Sequence, residues 1–309
     1  MIQKSAKIYI AGHNGLIGSA VLRHYLTLGY TNILVASRKE HDLSSLNMVE
    51  KFFLKQKPEY VILAAARVGG IRANMEYPTE FMYENLMIQN HLIMTSLKND
   101  VKKLLYISCG CAYPTKSSQP MKESAILTGP VEPTNEGFAI AKIAGMKLCE
   151  KINQQYKRSF ISCIPANTYG EFDHFEEFNS HVIPSLIMKF HNAKIKNISS
   201  VVLWGTGKAR REFIYVDDIA RAINLLMNTY RSPETINIGS GEDITIFDLA
   251  RMVKKIIGYK GKIMFDTSKP DGMIRRILDS SKIQSLGFRS NLYLEQGIKK
   301  SYEFYLKKI

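Results

Sequence analysis

A glycine-rich segment near the amino terminus constrains the fold more than any other feature of this sequence. The segment GHNGLIG, residues 12–18, follows the apolar run KIYIA and precedes a helical pattern that continues to about Leu28. Glycines between a strand and a helix let the backbone approach a diphosphate, and the helix N-terminus offers it N–H groups and a positive dipole. Because both the strand and the helix are predicted, we interpret the segment as a dinucleotide-binding turn rather than a plain tight turn.

Short apolar runs alternate with helical patterns through the first half of the chain. Strands are predicted at residues 7–11, 32–37, 60–66, 103–108 and 160–165, and helices at 16–28, 44–55, 79–97 and 139–155. This alternation predicts βαβ units with right-handed crossovers. The expected fold is α/β, a doubly wound parallel sheet of the Rossmann type.

The alternation ends after Gly170. A polar, aromatic and acidic loop, EFDHFEEFNSH, leads into a helix that begins at Val182, and shorter strand and helix patterns follow. They predict a second, smaller α+β lobe for the substrate. We expect residues 1–170 to form the Rossmann domain, joined by part of 213–242, and residues 171–309 to form most of the substrate lobe.

Charge and hydropathy limit the classes of partner. The 309 residues carry a formal net charge of +14, but the basic residues are scattered and do not interleave with aromatics in a compact stretch. Phosphate-rich small molecules explain the excess as well as nucleic acid does, and much of it is typical of a solvated surface. We expect no nucleic-acid partner. Without a membrane-length apolar run or a signal-peptide pattern, we also expect no membrane partner and a cytoplasmic location.

The four cysteines are Cys109, Cys111, Cys149 and Cys163. The first two form a lone C-x-C without matching His or Cys neighbours. This spacing favours neither a zinc site nor a disulfide framework. We therefore expect no metal.

The residues after the second predicted strand bear on the choice of cofactor. An NAD enzyme usually carries an acidic residue there for the ribose hydroxyls, but this chain has Arg38 and Lys39. A basic residue suits the 2′-phosphate of NADP, which His13 and Asn14 are also placed to reach. We expect NADP(H), with plain surface charges at Arg38 and Lys39 as the alternative.

Several segments, in chain order, resemble the extended short-chain dehydrogenases and, within them, the GDP-L-fucose synthases. They are AGHNGLIGSA, AAARVGGIRAN, EPTNEGFAIAKIAG, NSHVIP, WGTGKARREF and SKPDGMIRRILD. The resemblance implies an NADPH-dependent oxidoreductase that reduces C4 of a GDP-4-keto-6-deoxy sugar, with epimerisation at C3 and C5, for capsule or lipopolysaccharide synthesis. It also implies a homodimer. A C4-reductase of a related GDP-4-keto-heptose without epimerisation, and a weakly active nucleotide-sugar-binding protein, remain alternatives.

The resemblance assigns binding residues to two regions of the chain. The cofactor residues are Gly12, His13, Asn14, Gly15, Leu16, Ile17, Gly18, Arg38, Asp42, Leu43, Ala64, Ala65 and Lys142. The GDP-sugar residues are Asn167, Val182, Trp204, Arg211, Asp271 and Arg275. An ion pair with Asp217 or Asp218 is the alternative interpretation of Arg211.

The resemblance also implies catalytic roles. Cys111 and His181 match the acid and base of the epimerase pair, and Lys142 matches the lysine that lowers the pKa of a catalytic tyrosine and holds the nicotinamide ribose. Phe138 stands where the family has that tyrosine, and Cys109 where it has the serine that orients the carbonyl. We expect Phe138 and Cys109 to line the site without the family's proton chemistry.

Phe138 leaves three explanations open. Phe fills the volume of Tyr but cannot donate a proton, and loss of a positioned general acid costs about a hundred- to ten-thousand-fold in rate. First, Phe138 is an introduced change that traps a ligand. Second, it is natural, and the protein takes its proton from water, Cys109 or the substrate. Third, the protein has lost reduction. Because the serine position is changed as well, natural divergence is favoured.

Overall fold

A computed structural model describes residues 1–176, 180–269 and 271–309 of the chain. Two predicted segments extend beyond this part. Residues 177–179, in the acidic and aromatic loop, and residue 270, in SKPDGMIRRILD, lie outside the described residues.

A parallel sheet forms the centre of the molecule. Its strands are β1 (Ile8–Ala11), β2 (Ile33–Leu34), β3 (Tyr60–Leu63), β4 (Lys103–Ile107), β5 (Phe160–Pro165) and β9 (Ile236–Ile238). They pair in the order β2-β1-β3-β4-β5-β9, every pair parallel. The strands β1, β4, β5 and β9 are buried along their whole length, as expected for apolar runs covered on both faces. This all-parallel order, with β1 between β2 and β3, is that of a doubly wound, Rossmann-like sheet, which confirms the predicted fold class.

Helices cover the sheet in two groups. They are α1 (Leu16–Thr27), α2 (Leu46–Gln56), α3 (Ile71–Glu76), α4 (Pro78–Lys98), α5 (Glu136–Tyr156) and α7 (Val216–Thr229). Helix α4 packs against α5 and α2, whereas α1 packs against α7. The long α5 places its first turn beside the turn that follows β4, where the candidate catalytic residues lie.

In the central sheet, β2 and β3 end three residues earlier than predicted, and the short helix α3 that follows β3 was not predicted. β2 ends at Leu34 rather than residue 37, because it is an edge strand and the chain turns where Ser37 bonds the Glu40 carboxylate. β3 ends at Leu63 rather than residue 66. The following chain is drawn towards α4, where the Arg67 N–H donates to Asn85 Oδ1, before the short α3 begins.

The second lobe is smaller and mixed. Its elements are β6 (Asn167–Tyr169), α6 (Val182–Ile195), β7 (Ser200–Trp204), β8 (Arg210–Tyr215), β10 (Asp243–Thr245), α8 (Ile246–Ile257), β11 (Lys262–Asp266), β12 (Arg275–Arg276), α9 (Ser281–Ser285) and α10 (Leu294–Leu306). β8 pairs with β6 and β12 in parallel and with β10 antiparallel, and β7 pairs with β11. Between β8 and β10 the chain returns to the central sheet through α7 and β9, so the lobes interleave. The domain boundaries stay a prediction.

Candidate active site

The glycine turn between β1 and α1 leaves space for a ligand at one of its three glycines. Gly12 has φ +88°, and a Cβ there would lie 2.7 Å from the Ala65 backbone nitrogen. A Cβ at Gly18 would collide with the Gly12 carbonyl. At Gly15, the N-cap of α1, the nearest atom to a Cβ would be 3.5 Å away. The first and third glycines therefore close the turn, and the second keeps the helix N-terminus open, as a bound diphosphate requires.

Other predicted cofactor residues surround this turn. Leu16, Ile17, Ala64 and Ala65 are half-buried there, Asn14 is exposed, and burial lowers the pKa of His13.

Arg38 and Asp42 differ in what they offer a ligand. The Arg38 side chain is 78% exposed, and its guanidinium lies 3.9 Å from Glu84 Oε2. Asp42 accepts hydrogen bonds from the Ser44 N–H and hydroxyl, which lower its pKa. The Leu43 carbonyl lies 3.1 Å from His91 Nδ1. Arg38 is thus free to reach a phosphate, whereas Asp42 shapes the local turn.

Lys142 is buried inside the protein rather than on its surface. The residue is 5% exposed, and its Nζ donates to the Ile107 carbonyl at 3.0 Å. The ammonium lies 4.9 Å from the centre of the Tyr106 ring and 5.8 Å from that of Phe138. Burial lowers its pKa to about 8. A lysine in this state can hold hydroxyl groups and stabilise a nearby anion, and it loses its proton only slightly above neutral pH.

Cys109 and Cys111 lie together in the 3-10 turn Gly110–Ala112 after β4, and the structure joins them by a disulfide. The expectation that the cysteines form no disulfide is therefore wrong for this pair, because the turn folds residues two apart back on each other. Cys111 is buried and Cys109 half-buried. Only the reduced Cys111 carries a thiol that can donate a proton.

His181 lies in the second lobe as the N-cap of α6. Its Nδ1 is 3.7 Å from Oδ1 of Asp173, whose side chain is almost completely buried. The carboxylate raises the pKa of His181. Oδ2 of Asp173 is buried without a hydrogen-bond partner in the described part of the chain. Asp173 therefore favours the protonated form of the imidazole, which a general acid uses, and Asp173 was not predicted from the sequence.

Four arginines on β8 and β12 divide between two faces of the lobe. The strands pair in register, Arg275 beside Arg210 and Arg276 beside Arg211. On one face Arg210 and Arg275 share the Asp243 carboxylate. Successive side chains on a strand point to opposite faces, so the other two share the second face.

On the second face, neither Arg211 nor Arg276 forms an ion pair with a carboxylate of the described residues. Within the described part of the chain, Arg211 donates to backbone carbonyls alone, including that of Met273 at 2.6 Å, and burial together with Arg276 lowers its pKa to about 10. The alternative ion pair of Arg211 with Asp217 or Asp218 is wrong. In the described residues, Arg276 Nε is buried without a partner, and Nη2 reaches only the Met273 sulfur. Two adjacent half-buried guanidiniums suit a diphosphate.

The remaining predicted substrate residues have mixed settings. Asn167 Nδ2 donates to the Glu212 carbonyl at 2.7 Å, and Val182 begins α6. Trp204, at the end of β7, is 63% exposed. The Asp271 carboxylate accepts from the Thr206 N–H and hydroxyl, which holds the adjacent turn. Arg275 is occupied by Asp243, so Arg276, which was not predicted, is the arginine of that strand with an unused donor.

Comparisons with known proteins bear on this arrangement. The NAD dependent epimerase/dehydratase family matches residues 8–239. The chain belongs to this family. GDP-L-fucose synthase 1 of Arabidopsis thaliana is 47% identical over 100% of the chain and 96% of its own length. GDP-L-fucose synthase of Escherichia coli K12 is 44% identical, with 97% of each chain covered. The predicted resemblance is confirmed.

Solved structures of similar proteins extend the comparison within the epimerase/dehydratase family. A GDP-mannoheptose C4 reductase from Campylobacter jejuni with NADP bound has a TM-score of 0.91 and 40% identity, covering 99% of this chain and 100% of its own. A GDP-L-fucose synthetase from Naegleria fowleri bound to NADP has a TM-score of 0.92 and 28% identity, covering 100% and 96%.

Residues 1–176, 180–269 and 271–309 contain no group of three or more His, Cys, Asp and Glu side chains placed to hold a metal ion. No helix in these ranges has the length and apolar character needed to cross a membrane.

Proposed function

We propose that this family member is an NADP-dependent oxidoreductase that reduces C4 of a GDP-linked 4-keto-6-deoxy sugar. The burial of Lys142 carries the proposal. A buried ammonium that pairs with one carbonyl and no carboxylate costs stability. Lys142 lies beside Phe138 and the turn after β4, and in the proposed reaction its ammonium serves catalysis there.

The cofactor would bind across the carboxyl ends of the strands. The N-terminus of α1 at Gly15 would hold its diphosphate, and Arg38 the 2′-phosphate of NADP. Lys142 would hold the nicotinamide ribose. When bound, NADPH supplies a hydride. Phe138 would keep water from the reacting carbonyl and hold the sugar in place, leaving the proton to come from water, Cys109 or the substrate.

The sugar nucleotide would lie between the two lobes, with Arg211 and Arg276 on its diphosphate. Their support is the shared face without a carboxylate partner. In the reduced protein, Cys111 and His181 would exchange protons at C3 and C5, which the 4-keto group acidifies. We further propose a cytoplasmic homodimer that serves capsule or lipopolysaccharide synthesis.

A C4-reductase of a GDP-4-keto-heptose without epimerisation is the second candidate. The disulfide between Cys109 and Cys111 favours it, because the bonded Cys111 has no proton to give. A nucleotide-sugar-binding protein of weak activity is the third, since Phe138 cannot act as a general acid.

The test is oxidation of NADPH by GDP-4-keto-6-deoxy-mannose, run in deuterated water with and without a thiol reductant. We expect NADPH consumption, faster than with NADH, and a loss of at least tenfold in kcat/KM in Lys142→Met. Lys147→Met, on the exposed side of α5, is the matched control. Deuterium in the product at C3 or C5 identifies epimerisation. If neither this sugar nor the GDP-4-keto-heptose of the second candidate oxidises NADPH, only the binding protein remains.

A further inference from the structure

A cavity of about 370 Å³ lies beside the Phe138 ring. It is lined by the end of α3, the start of α4 and the segment that enters α5, and it is partly open to solvent. The lining residues used below are Asn74, Pro78, Phe81, Thr134, Asn135 and Phe138. None of them is a predicted site residue except Phe138, which the cavity shares with the candidate active site.

Three side-chain oxygens on this lining are buried and have no hydrogen-bond partner in the described residues: Asn74 Oδ1, Thr134 Oγ1 and Asn135 Oδ1. Asn74 is only 5% exposed. Its Nδ2 donates to the carbonyls of Gly69 and Gly70, both at 3.0 Å, so the amide is held and its oxygen is the free end. Buried polar atoms are normally paired, and an exception calls for a ligand or an ordered water.

The N-terminus of α5 does not use these oxygens. Asn135 occupies the N-cap position, where its side chain would ordinarily accept from an N–H of the first turn, but it makes no capping bond. The Asn135 and Thr134 side-chain oxygens therefore do not cap α5 and are available to a ligand.

The walls of the cavity define the class of ligand. Phe81 and Phe138 contact each other edge to face, with ring centres 6.2 Å apart, and Pro78 adds another apolar surface. The lining contains the carboxylate of Glu136 and no cationic side chain. Apolar walls with unpaired acceptors suit a neutral group that carries hydroxyl donors, and they disfavour a phosphate.

We propose that this cavity binds a hydroxyl-bearing chain extending from C5 of the sugar, so that the enzyme selects a chain-extended 4-keto sugar over a 6-deoxyhexose. The inference rests on the proposed function, in which C4 lies against Phe138 and C5 is one bond away. The methyl group of a 6-deoxyhexose has no donor and would leave the three oxygens unpaired. A chain one carbon longer, with a terminal hydroxyl, supplies a donor and fills more of the space.

The test compares kcat/KM for NADPH-dependent reduction of two substrates, GDP-4-keto-6-deoxy-mannose and a GDP-4-keto-6-deoxyheptose with a C7 hydroxyl. We expect the native chain to favour the heptose about tenfold or more, because a buried acceptor left unpaired penalises the analogue that lacks the hydroxyl. Thr134→Val keeps the shape of the side chain and removes the hydroxyl. It should lower the heptose-to-hexose ratio about tenfold.

Thr128→Val is the matched control, because the Thr128 hydroxyl is exposed and bonds the Ala125 carbonyl. It should leave the ratio unchanged. Tight NADPH binding by Thr134→Val verifies its fold, and Asn135→Ala provides a second variant that should lower the ratio. A native preference for the hexose, or an equal loss on both substrates in both cavity variants, overturns the inference while the proposed function stands. If neither sugar oxidises NADPH, the proposed function fails and the inference with it.

Discussion

Phe138→Tyr should accelerate the hydride step about a hundredfold. The Phe138 ring is half-buried and borders a cavity of about 370 Å³, so a hydroxyl on the ring overpacks little. The Lys142 ammonium lies 5.8 Å from the ring centre. At that distance and an effective dielectric constant of about 20, a cation stabilises a phenolate by about 3 kcal/mol, which corresponds to about two pKa units. Burial opposes part of this effect.

A phenol with a lowered pKa can protonate the C4 oxygen as hydride arrives. A positioned general acid contributes about a hundred- to ten-thousand-fold, and we expect the lower end because Cys109 has no proton to donate while it is bonded to Cys111 and, when reduced, offers only a thiol, a weaker donor than a serine hydroxyl. The gain should appear in kcat more than in KM, because the proton is needed in the transition state.

The assay is single-turnover oxidation of bound NADPH by a GDP-4-keto-6-deoxy sugar, followed by absorbance. Phe247→Tyr, which adds the same hydroxyl to an exposed ring on α8, is the control and should leave the rate unchanged. An unchanged or slower rate in Phe138→Tyr would refute the reasoning, and would mean that the protein has another proton source or is not a reductase.

Three further predictions concern ionisable groups of the site. NADPH affinity should fall as the pH rises through about 8, because Lys142 then loses the proton with which it holds the ribose. Fluorescence titration of the cofactor measures this affinity, and the Lys142→Gln variant should not show the pH dependence. Arg276→Gln should raise KM for the sugar nucleotide about tenfold without lowering Tm, whereas Arg275→Gln breaks the pair with Asp243 and should lower Tm; the opposite pattern in kinetics and thermal melts would contradict the assignment. Asp173→Asn should lower the pKa of His181, which NMR titration of the imidazole measures directly, and an unshifted titration would remove Asp173 from the site.

Local sequence signals predicted the strands of the central sheet because most of these strands are buried on both faces and their apolar runs are uninterrupted. The predicted length of β2 was too great because β2 is an edge strand with one neighbour, and its pairing with β1 stops at Leu34, opposite Tyr9, before the turn at Ser37. The buried position of Lys142 follows from the packing of α5 on β4, which no local pattern contains. The pairing of Cys109 with Cys111 depends on the turn between them. The different contacts of Arg275 and Arg276 depend on which face of β12 each side chain occupies, and two adjacent arginines in a sequence do not indicate this. The roles of the predicted site residues stay predictions.

The register of β12 against β8 limits how this part of the sequence can evolve. Because Asp243 pairs with the arginines of one face, an insertion or deletion that moved β12 by one residue would exchange the faces of Arg275 and Arg276. Arg276, which is proposed to hold the diphosphate, would then face Asp243. Arg275, which now pairs with Asp243, would face the proposed diphosphate site. A shift of two residues would restore the facing of each position. Changes in the length of the preceding loop should therefore be accepted only where the loop absorbs them and the parity of the strand is kept.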